Sequence, residues 1–500
     1  MAGKQIKSLA KDTAIYGLSN IIGKSINWLL VPLYTRTLAS PSDYGVVTNL
    51  YSWTALLLVI LTYGMETGFF RFINNGKDAP NRIYSTSMIS VGSTSLLFAV
   101  LIVALAPQCA TLLKLPAHPE YIRMLGISVA LDAFASIPFA YLRYCKMPIR
   151  FAAIKLIYVV LNVLINLFFF VACPYLLKHA PASVQWFYDP SYGVGYVFVA
   201  NIISTIIQTL FLVRYIVVVR FEFDKALLRR ILRYSLPLLL LGIAGTMNQT
   251  LDKILYPYLR AGIGGDIELG IYGATSKVAL IMLMFTQAFR FAYEPFVFAQ
   301  KRSPKHHDSY IQAMNFFVVV SWFIFLGMIF YIDIFKLIIP EQYWSGFDAV
   351  PIILVSFIFQ GIYFNLSIWY KLSDRTMFGA WFSVAGTAVI VAGNMLLVPR
   401  FGYYGCAWAA FACYFLVMLL SYFFGQKYMP IAYNLKKIGF YTLIALILFV
   451  LSFLIKTSYE WLNYFIKTIL VIIYLLIFIK NDLPVKKIPV LNKLFKEIKN

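Results

Sequence analysis

Charge is scarce in this 500-residue chain: Asp, Glu, Lys and Arg make up 13% of it, about half the share of an ordinary soluble domain. Acidic residues are scarcer still, 21 against 43 basic ones. Long polar stretches are missing too. The most hydrophilic segments run to roughly 10–20 residues, the length of connections rather than of domains, which excludes a separate globular catalytic head. The five cysteines, Cys109, Cys145, Cys173, Cys406 and Cys413, are scattered through apolar segments without metal-ligand spacing, so packing is their simplest role. His306-His307 is a lone pair in a polar loop and reads as solvated. No metal and no cofactor is expected.

What the chain has instead is hydrocarbon. Residues of the AVILMFWYC set reach 61%, against roughly 45–50% in soluble domains; this is the composition of an all-α integral membrane protein. A crossing helix needs about 20 apolar residues. By that measure spans are predicted near 12–35, 44–66, 83–106, 121–142, 151–176, 192–216, 234–258, 268–294, 310–332, 347–370, 378–398, 403–425, 437–456 and 459–480, fourteen in all. The basic leader "MAGKQIKSLAKDT" runs into the first of them with no small-residue cleavage site, so it reads as a retained first helix.

The formal charge of +22 would suggest nucleic acid for a soluble protein, but in a membrane its placement is what matters. With fourteen crossings, thirty-one Lys and Arg fall on the side of the N-terminus and eight on the other. Both termini are therefore predicted to be cytoplasmic, and the charge orients the chain and attracts anionic lipid. No nucleic-acid partner is needed. The loop "RFEFDKALLRRILRYS" (220–235) has the pattern of a basic amphipathic helix on the inner surface, with a plain solvated linker as the alternative.

Sliding the chain by 225 residues superposes Gly17 on Gly242, Leu30 on Leu255, Pro32 on Pro257 and Gly45 on Gly270, with Asp43 meeting Glu268. Proline at a helix end and glycine opening the next are positions with a backbone reason to persist. Units of six spans sit the same way up in the membrane. The predicted organisation is an N-lobe over 1–217, a C-lobe over 218–426, two added spans over 427–482 and a basic tail over 483–500. The lobes would face each other about a pseudo-two-fold axis.

Several charges stand where lipid is expected. The stretch "YGLSNIIGKSINWLLVPLYTRTL" (16–38) contains Gly23-Lys24-Ser25, superficially a phosphate-binding loop. Five residues rather than four separate its glycines, and no strand precedes it, so the nucleotide reading fails. Lys24 instead shares one helical face with Asn20 and Asn27. The repeat-matched positions in span seven are Gly245, Gln249 and Asp252, with Asn248 and Lys253 beside them. Span eight carries Lys277, Gln287, Arg290 and Glu294; span four carries Asp132, and span two ends at Glu66.

Each lone charge at mid-membrane costs on the order of 2.5–3.5 kcal/mol, so these groups are expected to line a wet cavity between the lobes. Lys253 and Arg290 have snorkelling to the interface as an alternative. Arg290 and Glu294 could equally form an i,i+4 pair, and Lys467 is expected to snorkel. A wet cavity richer in cations than in anions suits an anionic substrate such as a phosphate, with amide and aromatic groups to meet sugar rings.

The opening "YGLSNIIGKSINWLLVPLYTRTLASPSDYG" and the segment "RFGYYGCAWA" (400–409) resemble Wzx-type polysaccharide and O-antigen flippases of the multidrug/oligosaccharidyl-lipid/polysaccharide (MOP) superfamily. The resemblance implies a V-shaped carrier in a bacterial inner membrane, acting as a monomer. It would move undecaprenyl-diphosphate-linked oligosaccharide from the cytoplasmic to the outer leaflet by alternating access. By analogy with the lipid II flippase, whose cavity cations lie on its first, second and eighth spans, Lys24 and Lys277 match by span, whereas span two here has Ser52 and no central base. The last spans, 437–480, would form a lipid-tail groove. By analogy with multidrug exporters, Asp252, Glu66 and Glu294 are the candidates for coupling to H+ or Na+.

The expected substrate contacts are thus Lys24, Asn20, Asn27, Asn248, Gln249, Lys253, Lys277 and Arg290. Two alternatives stay open. A drug or cation antiporter of the same fold would favour acidic cavity residues. A membrane glycan polymerase or ligase would need reactive groups on a large outer loop, and the longest here, "LLKHAPASVQWFYDPSY" (176–192), offers only His179 and Asp189.

Overall fold

The computed structural model describes residues 22–23, 25–26, 28–217, 220–260, 263–300, 306–373, 375–455 and 457–482. Among them there are helices and turns but no strand. The first described helix, α1 (Leu30–Thr37), is the C-terminal end of the first expected span. It is followed by α2 (Pro41–Thr62), α3 (Met65–Asn74), α4 (Pro80–Ala104), α5 (Pro119–Tyr144), α6 (Pro148–Leu167) and α7 (Gly195–Val217). The second half comprises α8 (Lys225–Leu259), α9 (Ile263–Ser276), α10 (Leu280–Gln300), α11 (His306–Phe330), α12 (Val350–Leu366), α13 (Met377–Phe401) and α14 (Tyr403–Tyr428). The chain closes with α15 (Leu435–Leu454) and α16 (Glu460–Asp482).

Proline opens α2, α4, α5 and α6, the first-turn position where its missing N–H leaves no bond unmade. At α2 a capping box adds to it: Ser40 Oγ accepts from the Asp43 amide, and the Asp43 carboxylate accepts from the Ser40 amide. Eleven of the described helical segments are long and apolar enough to cross a membrane, or twelve when α9 and α10, bent 45° at their junction, count as one. The expected first span lies mostly outside the described residues. The expected seventh span is present as α8, but its polar residues keep it out of that apolar set. The count of fourteen is therefore not reached.

The segment 220–235 differs from the surface helix expected of it. Residues 220–224 belong to no helix, and from Lys225 the chain is helical without interruption into span seven. Asp224 caps this helix, its carboxylate accepting from the amides of Ala226 and Leu227 at 2.9 Å. The apolar face packs on protein, with Leu227 and Ile231 fully buried against Met65, Phe69 and Ile73. The C-terminal end of span two therefore covers the face that a surface helix would have laid on lipid.

The two halves cross at α2 and α9, and the crossing is reciprocal. At an offset of 225, Pro41 corresponds to Asp266 and Gly45 to Gly270. A β-carbon on Gly45 would stand 2.4 Å from the Asp266 carbonyl oxygen, and one on Gly270 would stand 1.7 Å from the Pro41 carbonyl oxygen. Residues related by a two-fold axis meet each other only when they lie beside it, and these do. Backbone approach this close tolerates only glycine.

On the same side as this crossing, Lys114 Nζ donates to the Pro257 carbonyl at 2.7 Å, and Tyr258 Oη donates to the Leu112 carbonyl at 3.0 Å. α15 and α16 dock outside on α11, where Tyr474 bonds the Val319 carbonyl at 3.0 Å and Trp322 bonds Thr442 at 3.0 Å. Lys467, expected to snorkel, lies 3.8 Å from Asp333. All five cysteines are free.

Candidate functional site

Below the α2–α9 crossing lies a cavity of about 490 Å³ lined from both halves of the chain. Its most unusual wall is the junction of α9 and α10. Thr275 Oγ1 donates back to the Ile271 carbonyl at 2.8 Å and Ser276 Oγ to the Gly273 carbonyl at 3.1 Å. Such back-bonding bends helices, and Gly273 weakens the same turn. The α pattern gives way to tighter bonds, Val278 N to Thr275 O at 3.0 Å and Leu280 N to Lys277 O at 3.1 Å. Irregular backbone at membrane depth is tolerated where it lines a cavity. Here it presents Lys277.

Lys277 is exposed, and it lines an interior cavity. Among the described residues its ammonium has no hydrogen-bond or ion-pair partner. Its backbone carbonyl, bonded at the bend to the Leu280 amide, also accepts from Trp28 Nε1 at 3.0 Å, which ties the first span to the break.

Asp252 and Lys253 face the same space. Lys253 Nζ lies 2.9 and 3.0 Å from the two Asp252 oxygens, and Tyr272 Oη donates to Asp252 at 2.8 Å. The snorkelling alternative for Lys253 is thereby removed: its ammonium turns to a buried carboxylate, and it stands 5.2 Å from the Tyr272 ring centre. Asn49 Nδ2 fixes the backbone there by donating to the Lys253 carbonyl at 2.8 Å.

Gln249 lines the cavity and is exposed in it. Asn248 is more constrained, accepting from Thr387 at 2.8 Å and donating to the Ser383 carbonyl at 3.3 Å. Asn248, Gln249, Asp252, Lys253 and Lys277 are thus brought together. Arg290 and Glu66 are not among the lining residues. The Arg290 guanidinium lies 5.2 Å from the Phe364 ring centre, while Glu66 pairs with Arg143 within the first half. Asn20, Lys24, Asn27 and the side chain of Glu294 lie outside the described residues.

The wall from the first half was not anticipated residue by residue. Tyr34, Tyr51, Tyr158, Asn162 and Asn201 line it, with Ser52 among them. These polar groups are spread over four helices whose sequence reads simply as apolar. The only available signal was asparagine recurring inside spans five and six. Asp132, singled out in span four, accepts from Gln208 at 3.2 Å and does not line the cavity. The outer loop carries no reactive constellation. Asp189 accepts from the amide and hydroxyl of Ser191 at 2.8 and 2.7 Å, bonds that hold its carboxyl below the usual range, and His179 bonds the Tyr175 carbonyl at 2.8 Å. No group of three His, Cys, Asp or Glu side chains among the described residues could hold a metal ion.

Residues 9–298 match the family model for polysaccharide biosynthesis proteins. Among solved structures the chain is similar to the lipid II flippase MurJ in an inward closed conformation, with TM-score 0.72 and 11% identity over 93% of this chain and 99% of that one. It is also similar to an inward-facing multidrug resistance MATE family transporter of the MOP superfamily, with TM-score 0.60 and 14% identity over 81% and 94%. A MATE structure in the bent conformation gives 0.58 and 13% over 88% and 98%. At these identities the likeness is one of fold. No curated protein matches the chain by sequence.

Proposed function

The chain belongs to the polysaccharide biosynthesis protein family and is a multi-pass membrane protein with the fold of MOP-superfamily transporters; from that premise we propose that it flips an undecaprenyl-diphosphate-linked oligosaccharide. The direction is from the cytoplasmic to the periplasmic leaflet of a bacterial inner membrane, with both termini in the cytoplasm and the monomer as the working unit. One observation carries the reading. Lys277 offers an ammonium without a partner among the described residues to a cavity lined from both halves. Attraction of an ammonium for a phosphate grows as water is excluded, and such charge-assisted bonds are the strong ones.

Lys277 holds one phosphate in this reading, and Lys253 contributes when the substrate draws it from Asp252. Lys24, Asn20 and Asn27 approach from the first span. Asn248 and Gln249 meet polar groups of the head, and Arg290 attracts the lipid diphosphate from outside the cavity wall. Asp252, released from its lysine, is the first candidate to take a coupling proton or sodium ion, with Glu66 and Glu294 behind it. The cycle needs no covalent step. The substrate must bind two arrangements of the halves with different affinity, and that difference drives the exchange.

A cation antiporter would want an acidic surplus, whereas the charged groups lining this cavity among the described residues are two lysines and one aspartate. The deciding measurement is transbilayer movement of a lipid-diphosphate oligosaccharide in proteoliposomes. Lys277→Ala and Lys24→Ala should each cut the initial rate at least tenfold, and undiminished transport by both variants rejects the reading.

A further inference from the structure

Among the described residues, the charges lining the cavity all come from the second half. Asp252 and Lys253 come from α8 and Lys277 from the α9–α10 junction, whereas the described lining residues of the first half carry no charge. That opposite wall is nonetheless polar. It combines aromatic rings with carboxamides, and the carboxamides are held in place. Tyr34 donates to Asn166 Oδ1 at 2.8 Å, and Asn166 Nδ2 in turn donates to Asn162 Oδ1 at 3.3 Å. This leaves the amide nitrogen of Asn162 without a hydrogen-bond partner among the described residues. Asn201 Nδ2 donates to Tyr158 Oη at 3.1 Å, fixing the ring. Tyr158 is half-buried, while Tyr51 tilts against Phe198 at 6.0 Å.

We propose that the wall built from Tyr51, Tyr158, Asn162 and Asn201 is a glycan subsite: it binds the uncharged sugar rings next to the diphosphate while the lysines opposite hold the phosphates. The proposal rests on the flippase reading and adds a division of labour to it. A phosphate finds no charge-assisted donor on this wall, and an acyl chain would leave its amides unpaired at a cost. A sugar ring meets both demands, since its C–H face suits an aromatic ring and its hydroxyls both donate to and accept from carboxamides. The network behind the wall holds these groups in position before any ligand arrives, the condition for a selective site.

There is a consequence for transport. A ligand carrying both parts engages the lysines and the tyrosine–asparagine wall together, whereas a bare lipid diphosphate engages the lysines without that wall. Only the ligand carrying both parts distinguishes strongly between arrangements of the halves, so sugar is required for coupling and not merely for affinity.

The test uses the purified full chain in proteoliposomes with three probes: bare undecaprenyl diphosphate, the same lipid carrying one sugar, and the same lipid carrying three. Tyr158→Leu and Asn162→Ala should each weaken binding of the glycosylated probes about five- to tenfold, roughly the worth of one aromatic contact or hydrogen bond. Binding of the bare lipid should stay unchanged. Tyr158→Phe, which keeps the ring, should retain most of the affinity. Lys277→Ala should weaken all three probes alike.

Equal loss for bare and glycosylated lipid in the wall variants, or no loss for either, overturns the glycan subsite. Failure of Lys277→Ala to affect any probe overturns the flippase reading instead. Should Tyr158→Leu fold poorly, Asn162→Ala carries the comparison.

Discussion

Trp28 Nε1 donates a 3.0 Å hydrogen bond to the backbone carbonyl of Lys277, 249 residues further along the chain. The acceptor lies at the α9–α10 bend, where that carbonyl also takes the Leu280 amide, and the donor comes from the far half of the molecule. Trp28→Phe keeps a ring to meet Phe335, whose centre lies 6.4 Å away, but removes the N–H. Losing one such hydrogen bond costs about 1 kcal/mol. The expected outcome is a small loss of thermal stability with a several-fold fall in transport, read on the same preparation by melting and by proteoliposome assay.

The reciprocal crossing makes a symmetric prediction. Gly45→Val and Gly270→Val should both be severe, because the clashing atoms are backbone carbonyls that cannot rotate away. Overpacking usually costs about 1–3 kcal/mol, and contacts this short belong at the upper end. Loss of monodisperse protein on size exclusion is expected for each. Normal behaviour of either variant would mean the halves do not meet as described.

Lys253 and Asp252 should depend on each other. Lys253→Met leaves a largely buried carboxylate with Tyr272 as its remaining partner, and breaking such a pair from one side costs about 3–5 kcal/mol. The double variant Asp252→Asn with Lys253→Met removes the orphaned charge and should recover much of the stability without recovering transport. A thermal double-mutant cycle checks this; additive losses would show that the two are not coupled.

On the side of the crossing, Lys114 and Tyr258 join the halves through carbonyls 257 and 112. Lys114→Met with Tyr258→Phe removes both bonds. A cysteine placed at Gln249, in a background without accessible native thiols, should then react several-fold faster with an impermeant maleimide added from the Lys114 side. An unchanged rate would show that these bonds do not hold the cavity shut.

Outside the membrane, the Asp224 cap sets a pH dependence. The bond from the Leu227 amide leads the effects that hold its carboxyl below the usual range, with the Ala226 amide, Arg82 and Arg230 in support. The unfolded chain therefore binds the proton at a higher pH than the folded one. The cap's contribution is complete above the ordinary carboxylate range and disappears as pH falls through the depressed value. Asp224→Ala should lower the melting midpoint at pH 7 and flatten its acid dependence, whereas Asp224→Asn, still a capping residue, should flatten the acid dependence with little loss at pH 7.

Much of this molecule was legible from residue order alone, because lipid imposes a simple rule: apolar runs of helical length cross, and backbone bonds must close within them. The runs from Pro41 to Val217 and from Val350 to Asp482 follow that rule closely. The repeat was visible in Gly45 and Gly270 for a related reason, since positions on a two-fold axis tolerate no side chain. The site was legible where charge marked it and where the repeat pointed to the amides beside that charge, Asn248 and Gln249. Lys277, Asp252 and Lys253 stand out against an apolar background, while Tyr158, Asn162 and Asn201 look like ordinary polar intrusions.

The sequence by itself determined that the chain is a helical membrane protein and which residues are too costly to leave in lipid; both follow from transfer energy acting locally. Only the tertiary structure decided which of those costly residues share a space. It turned Lys253 to Asp252, left Lys277 open at a helix break, sent Arg290 and Glu66 elsewhere, and set a neutral wall of tyrosine and asparagine opposite the lysines. Those outcomes depend on how helices hundreds of residues apart cross and bend, and contacts of that range are fixed by packing rather than by any local pattern.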